Sequence, residues 1–216
     1  MARNPPAGPP AKSAPGGSPR FVLVAAALAA LVILGAGAFL ALALRDNPRG
    51  AGGTVLASAI GGSFRLTDQN GKTVTDADLK GKWSLVYFGY THCPDACPTA
   101  LNEIALALDR LGPKGKSVGV VLITVDPERD TSAIMKSYLE SFDAPVVGLT
   151  GTAAEIAQAA KSYRVYYAKH PRSDGGYDMD HSSVIYVMDP QGRFTASFTH
   201  ESTPEQIAER LKKLLT

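Results

Sequence analysis

Two short, almost continuously apolar runs, residues 84–88 and 118–125, enclose a segment in which Leu101, Ile104, Leu108 and Leu111 recur at helical spacing before Gly112-Pro113. The runs read as buried strands. A strand, a helix and a second strand make a βαβ unit, because parallel pairing needs the intervening helix as its crossover. The only two cysteines, Cys93 and Cys97, therefore fall on a strand-to-helix connection.

The rest of the chain fits around that unit. Asp68-Gln69-Asn70-Gly71 between short alternating runs signals an amino-terminal hairpin, because Asn and Gly both tolerate positive φ. Ile134, Tyr138 and Phe142 mark a second helix on one apolar face. Thr152 and Glu155 form a capping-box pattern for a third helix carrying Ile156, Ala160 and Tyr163. Residues 165–169 suit a strand, and the polar, Gly-rich stretch 170–180 suits a loop. A second hairpin follows at 184–188 and 194–198 around Asp189-Pro190-Gln191-Gly192. Thr203-Pro204-Glu205-Gln206 then opens a last helix with Ile207, Leu211 and Leu214. The order is ββ followed by β-α-β-α-(β)-α-(β)-ββ-α, an α/β, thioredoxin-like layout with an added hairpin and an insertion.

Ahead of this domain, residues 21–44 carry no charge and would reach about 36 Å as a helix, against a hydrocarbon core of about 30 Å. That predicts one transmembrane anchor. A cleaved signal peptide is the alternative, with Ala41-Leu42-Ala43 as its cleavage motif, but its apolar region would span only about 7–15 residues. Arg3, Lys12 and Arg20 precede the run, which favours a cytoplasmic amino terminus and a periplasmic or otherwise extracytoplasmic domain on the inner membrane. The organisation expected is a disordered tail over 1–20, the anchor over 21–44, a linker over 45–53 and the folded domain over 54–216. The net charge of +2 comes from the basic leader and leaves the domain slightly acidic, without the basic runs a nucleic-acid binder needs.

Ligands in such sheets collect beyond the carboxyl ends of the parallel strands, where helix amino termini point unpaired N–H groups. That placement favours thiolate over thiol at Cys93 and Cys97. Pro98 disfavours helical geometry at Cys97, so the second cysteine is expected to stay in the turn. If the strand from Val184 runs antiparallel to the parallel pair, Asp178-Met179-Asp180-His181 arrives on the same edge. Two soft thiolates and the imidazole of His181 suit copper, especially Cu(I), with Cu(II) able to use nitrogen and oxygen as well. Zinc with the same ligands and a water is also chemically sound, and a plain structural disulfide explains the cysteines alone. His92, His170 and His200 read as surface or hydrogen-bonded residues, and Met179 as packing. Asp126 and Asp180 read as turn or hydrogen-bonding residues.

Several separated motifs resemble the Sco/SenC proteins. They are Ile60-Gly61-Gly62-Ser63-Phe64, Gly81-Lys82-Trp83, Tyr87-Phe88-Gly89-Tyr90-Thr91-His92-Cys93-Pro94-Asp95-Ala96-Cys97-Pro98, Val125-Asp126-Pro127-Glu128-Arg129-Asp130-Thr131 and Asp180-His181-Ser182-Ser183. Ala96 stands where many relatives carry Val, a change expected to be harmless. The resemblance implies a membrane-anchored, thioredoxin-like domain that binds copper through Cys93, Cys97 and His181. It implies delivery to the dinuclear copper A centre of cytochrome c oxidase subunit II, alongside other periplasmic copper chaperones or thiol reductants. A thiol-disulfide oxidoreductase using Cys93 and Cys97 as a redox pair is the alternative, with a peroxiredoxin-like peroxidase behind it.

Overall fold

The structure, a computed structural model, describes residues 60–215. The expected tail, anchor and linker lie outside the described residues, among which no helix is long and apolar enough to cross a membrane.

Strands β1 (Arg65–Asp68) and β2 (Thr73–Thr75) form the first hairpin. In its turn the Asp68 carboxylate accepts from the N–H groups of Asn70 and Lys72, each at 2.8 Å. Gly71 alone takes positive φ there, at 83°, so Asn70 does not use the freedom expected of it. The centre is β3 (Ser84–Gly89), α1 (Ala96–Arg110), β4 (Gly119–Thr124), α2 (Ser132–Leu139), β5 (Val146–Thr150) and α3 (Ala153–Tyr163). Strands β3, β4 and β5 are parallel, in register from Ser84 opposite Gly119 to Gly89 opposite Thr124. Two further pairs, β6 (Tyr167–Pro171) with β7 (Tyr177–His181) and β8 (Val184–Met188) with β9 (Phe194–Thr199), precede α4 (Pro204–Leu214).

The main sheet has seven strands in the order β2-β1-β5-β4-β3-β8-β9. Strand β3 sits beside parallel β4 and antiparallel β8, and all of its residues are buried. Helix α1 lays Ala100, Leu101, Ile104 and Ala107 on the core; each large aliphatic side chain so buried is worth about 1.5–3 kcal/mol. Thr152 with Glu155 and Thr203 with Gln206 close the expected capping boxes, which satisfy N–H groups that the first turns leave open. The alternation of buried and exposed residues in α3 and α4 follows the sequence reading.

Helix α2 departs from it. Its buried residues are Met135 and Leu139, whereas Ile134 is 44% exposed. The cause is Gly148 on β5, where a Cβ would lie 2.6 Å from Leu139 Cδ1 and 2.8 Å from Met135 Cε, so those two side chains occupy the glycine's missing volume. Tyr138 and Phe142 are half-buried and meet each other edge-on at 5.1 Å. Residues 170–180 depart more. Instead of a loop they belong to the β6–β7 hairpin, a two-stranded sheet of its own registered from Tyr167 opposite His181 to Pro171 opposite Tyr177. Half of its strand residues are exposed, and the charged residues and Gly-rich tip mask the alternation along β7.

Candidate metal centre

Strand β3 ends at Gly89, a short turn carries Cys93, and α1 begins at Ala96. The Cys97 N–H, one of the groups a helix start leaves unpaired, donates to Cys93 Sγ at 3.3 Å. Cys97 thus lies inside the first turn of α1, contrary to the expectation drawn from Pro98. Proline costs little here, because the N–H it removes has no intrahelical acceptor in the first turn. Helical geometry buries Cys97 completely and leaves Cys93 partly exposed.

Antiparallel pairing of β8 with β3, with Ile185 opposite Tyr87, brings the chain entering β8 back to the edge where β3 ends. The preceding residue of β7, His181, reaches Cys97 Sγ with Nε2 at 3.5 Å. One ligand atom from each of Cys93, Cys97 and His181 lies within 4.8 Å of the others. Neither cysteine is in a disulfide. His181 Nδ1 is buried with no hydrogen-bond partner, so no hydrogen bond at that nitrogen fixes which of the two ring nitrogens carries the proton.

The two thiols are not equivalent. The hydrogen bond from the Cys97 thiol holds Cys93 well below the ordinary thiol range, against the opposing effect of its burial, and His181 and the N–H groups of Asp95 and Cys97 add to it. Cys97 is pushed up by giving that hydrogen bond, by burial and by the thiolate it faces. The pair is therefore one thiolate at a helix amino terminus and one buried thiol behind it.

Residues to which the sequence assigns no role shape this centre. Tyr87 Oη donates to Cys97 Sγ at 3.8 Å, and burial, then the neighbouring Cys97, keeps that phenol protonated. Gly89 lies against the same sulfur: a Cβ there would be 2.8 Å from Cys97 Sγ. Strand alternation placed Tyr87 and Gly89 on one face, and that period was the available signal. The Tyr90 ring meets His181 edge-on at 5.7 Å. Below the cysteine turn the fully buried Asp130 accepts from Thr91 N at 3.0 Å, Thr91 Oγ1 at 2.6 Å and Thr124 Oγ1 at 2.6 Å.

The other predicted residues lie apart from the sulfurs. His92 Nδ1 is 3.0 Å from Thr91 Oγ1 and 3.7 Å from Asp130. His170 Nε2 pairs with exposed Asp180 at 2.9 Å. His200 gives its backbone N–H to Ser183 O. Met179 is buried in the core, as expected of packing, and Asp126 accepts from Tyr177 Oη at 2.8 Å and from Arg129 Nε.

The model of the SCO1/SenC family matches residues 53–216. The chain belongs to that family. This SCO1/SenC protein is 39% identical over 196 residues to protein SenC of Rhodobacter capsulatus, covering 89% of each chain. It is 42% identical over 157 residues to the mitochondrial SCO1 homolog 1 of Arabidopsis thaliana, covering 72% of this chain and 47% of that protein. The chain spans between about half and just under two thirds of the first curated relatives it matches, from 47% to 63%. Among solved structures, ScoI of Bradyrhizobium japonicum with copper bound is 56% identical, with a TM-score of 0.67 over 72% of this chain and 99% of that one. Yeast Sco1 with copper bound is 37% identical, with a TM-score of 0.67 over 72% of this chain and 87% of that one. BsSco, described as having a disulfide switch and as a member of the Sco family of cytochrome c oxidase assembly proteins, is 25% identical, with a TM-score of 0.59 over 73% of this chain and 94% of that one. The mixed α/β, thioredoxin-like fold of the SCO1/SenC proteins is the fold described above.

Proposed function

We propose that this protein binds copper through Cys93, Cys97 and His181 and delivers it to the copper A centre of cytochrome c oxidase subunit II. The observation that carries the reading is the convergence of two sulfurs and one imidazole nitrogen within 4.8 Å. Soft sulfur ligands select Cu(I), and the copper-bound state of ScoI and Sco1 supports the same cargo here. Cys93, already a thiolate and partly exposed, is the first ligand to meet the ion. Cys97 gives up its proton as its sulfur binds, as any thiol ligand must. An acceptor thiolate approaching from the exposed Cys93 side takes the ion by ligand exchange, and the buried Cys97 lets go last. The membrane anchor over residues 21–44 keeps the domain on the extracytoplasmic side, where subunit II presents its copper ligands.

The polarised thiol pair favours one second reading, reduction of subunit II cysteines. The Cys93 thiolate attacks a partner disulfide, forming a mixed disulfide and releasing one partner thiolate. Cys97 then loses its proton and attacks Cys93 Sγ, which frees the second partner thiolate and leaves a Cys93–Cys97 disulfide. X-ray absorption on the Cu(I) form separates the two. The chaperone reading expects two sulfur scatterers and one nitrogen, with the nitrogen lost in His181→Ala. An unchanged shell and affinity in that variant would remove the site as drawn. In cells, loss of oxidase in Cys93→Ser, Cys97→Ser and His181→Ala alike favours copper delivery, while loss in the cysteine variants alone favours reduction.

A further inference from the structure

The imidazole ligand rides on a hairpin that has no place in the main sheet. Along β7 the residues alternate: Tyr177, Met179 and His181 turn inward, while Asp178 and Asp180 are exposed. One set of side chains beyond the end of β4 grips the far end of that inward row. Tyr177 Oη donates to Asp126 Oδ1 at 2.8 Å, and Arg129 Nη1 donates to Tyr177 O at 3.2 Å. The Arg129 guanidinium lies 3.8 Å from the Tyr177 ring centroid and 5.9 Å from that of Tyr90, the ring whose neighbour is His181.

The base of this grip is fixed. Asp126 is buried, pairs with Arg129, and donates its backbone N–H to Thr124 Oγ1 at 2.9 Å. Arg129 Nη2 is buried without a partner, so stacking and its other nitrogens hold the guanidinium. Lys169 on β6 adds a cation 3.9 Å from the Tyr177 ring and a bond to Glu128 at 2.6 Å.

We propose that Asp126, Arg129 and Tyr177 are a latch that holds the β6–β7 hairpin closed and so keeps His181 at the two sulfurs. With the latch open, the hairpin carries the imidazole away while Cys93 and Cys97, set by β3 and α1, stay in place. The centre then changes from three ligands to two, which frees a position for the thiolate of an acceptor. The three are positioning residues that act through His181, and the proposal rests on the reading of His181 as a copper ligand.

The test uses the full chain in detergent, reduced and metal-free, with backbone hydrogen exchange as the first readout. Tyr177→Phe keeps the ring and removes only the bond to Asp126; Arg129→Gln removes the stack and the ion pair. Both should speed exchange across β7 by about tenfold or more while β3 and β4 stay unchanged, because a hydrogen bond to a charged group restrains opening at least that much. Arg172→Gln should leave exchange over Met179 to His181 as it is, since Arg172 pairs with Asp174 in the tip and with the exposed carboxylate of Asp178 and touches none of the three latch residues. With Cu(I) loaded, Tyr177→Phe and Arg129→Gln should show the nitrogen scatterer weakened toward the His181→Ala spectrum. Exchange in both latch variants within about twofold of wild type, or equal acceleration in Arg172→Gln, would overturn the latch. A wild-type Cu(I) spectrum without nitrogen would overturn the ligand reading instead, and the exchange result would still decide the latch.

Discussion

Gly89→Ala isolates how closely the sheet is fitted around Cys97. The added Cβ would fall 2.8 Å from Cys97 Sγ, 3.1 Å from Tyr87 Cε1 and 3.3 Å from Leu122 Cδ1. None of these neighbours is free to move. Cys97, Tyr87 and Leu122 are fully buried, and Gly89 O is tied to Val125 N at 2.8 Å. Overpacking such a site costs about 1–3 kcal/mol, whereas the stiffer unfolded chain of alanine returns about 0.4–1 kcal/mol. The clash wins by about 1.5 kcal/mol, a fall in Tm of roughly 3–6 °C for a domain of this size. Gly119→Ala makes the opposite case, because its Cβ would meet only the flexible end of Lys82, at 3.1 Å. That variant should be neutral or slightly more stable. Urea unfolding of the reduced, metal-free protein with the two variants side by side measures both. If Gly89→Ala unfolded at the wild-type urea midpoint, or if both variants moved in the same direction, the argument that Gly89 makes room for the sulfur would fail.

Asp130→Ala strips the acceptor from Thr91 and Thr124 in a fully buried position and should cost about 3 kcal/mol, read by the same unfolding assay. The thiols give a pH signature. A depressed Cys93 contributes stability that is lost as pH falls toward its folded value and is fully present above the ordinary thiol pKa of about 8.5. A raised Cys97 contributes below that value and loses its contribution as pH climbs past it. The reduced protein minus Cys93→Ser should therefore show stability rising from neutral pH toward about 8.5, and Cys97→Ser should abolish the fall above it; a flat Cys93 difference would refute the polarised pair. Alkylation at pH 6 should modify Cys93 and spare Cys97, by mass mapping. His92→Ala should leave Cu(I) coordination unchanged, in contrast with His181→Ala, because His92 is engaged with Thr91 and Asp130.

Much of the architecture was legible because local chemistry and global packing agree. Thr152 with Glu155, Thr203 with Gln206, and Asp189 to Gly192 each close a local structure that needs no information from elsewhere in the chain. The meeting of His181 with the cysteines was legible through topology, since an antiparallel β8 beside β3 could enter only at that edge. Where the reading erred, a distant residue decided. The spacing of Ile134 suits a core-facing helix stripe, but the hole at Gly148 sets the rotation of α2. Pro98 argues locally for a Cys97 outside the helix, and the unpaired first turn accommodates it inside. The alternation of Tyr177, Asp178, Met179, Asp180 and His181 was visible, yet charged residues and a Gly-rich tip made it look like a loop. Tyr87 and Gly89 fall within the Sco/SenC-like motif, but the sequence assigns them no role, because that role depends on the depth at which Cys97 is set.

Cys97 and His181 stand 84 positions apart, while the cysteines and the β3–β4 pair are joined by a single helix crossover. At about 5–20 residues per second, roughly 4–17 s of synthesis separates the two. Once β4 is made, β3 has a partner available on one side and an open edge on the other until β8 follows. The two sulfurs then follow a strand paired on at most one side, with no imidazole beside them. The moment at which β8 closes that edge is also the moment at which the centre first has all three of its side chains.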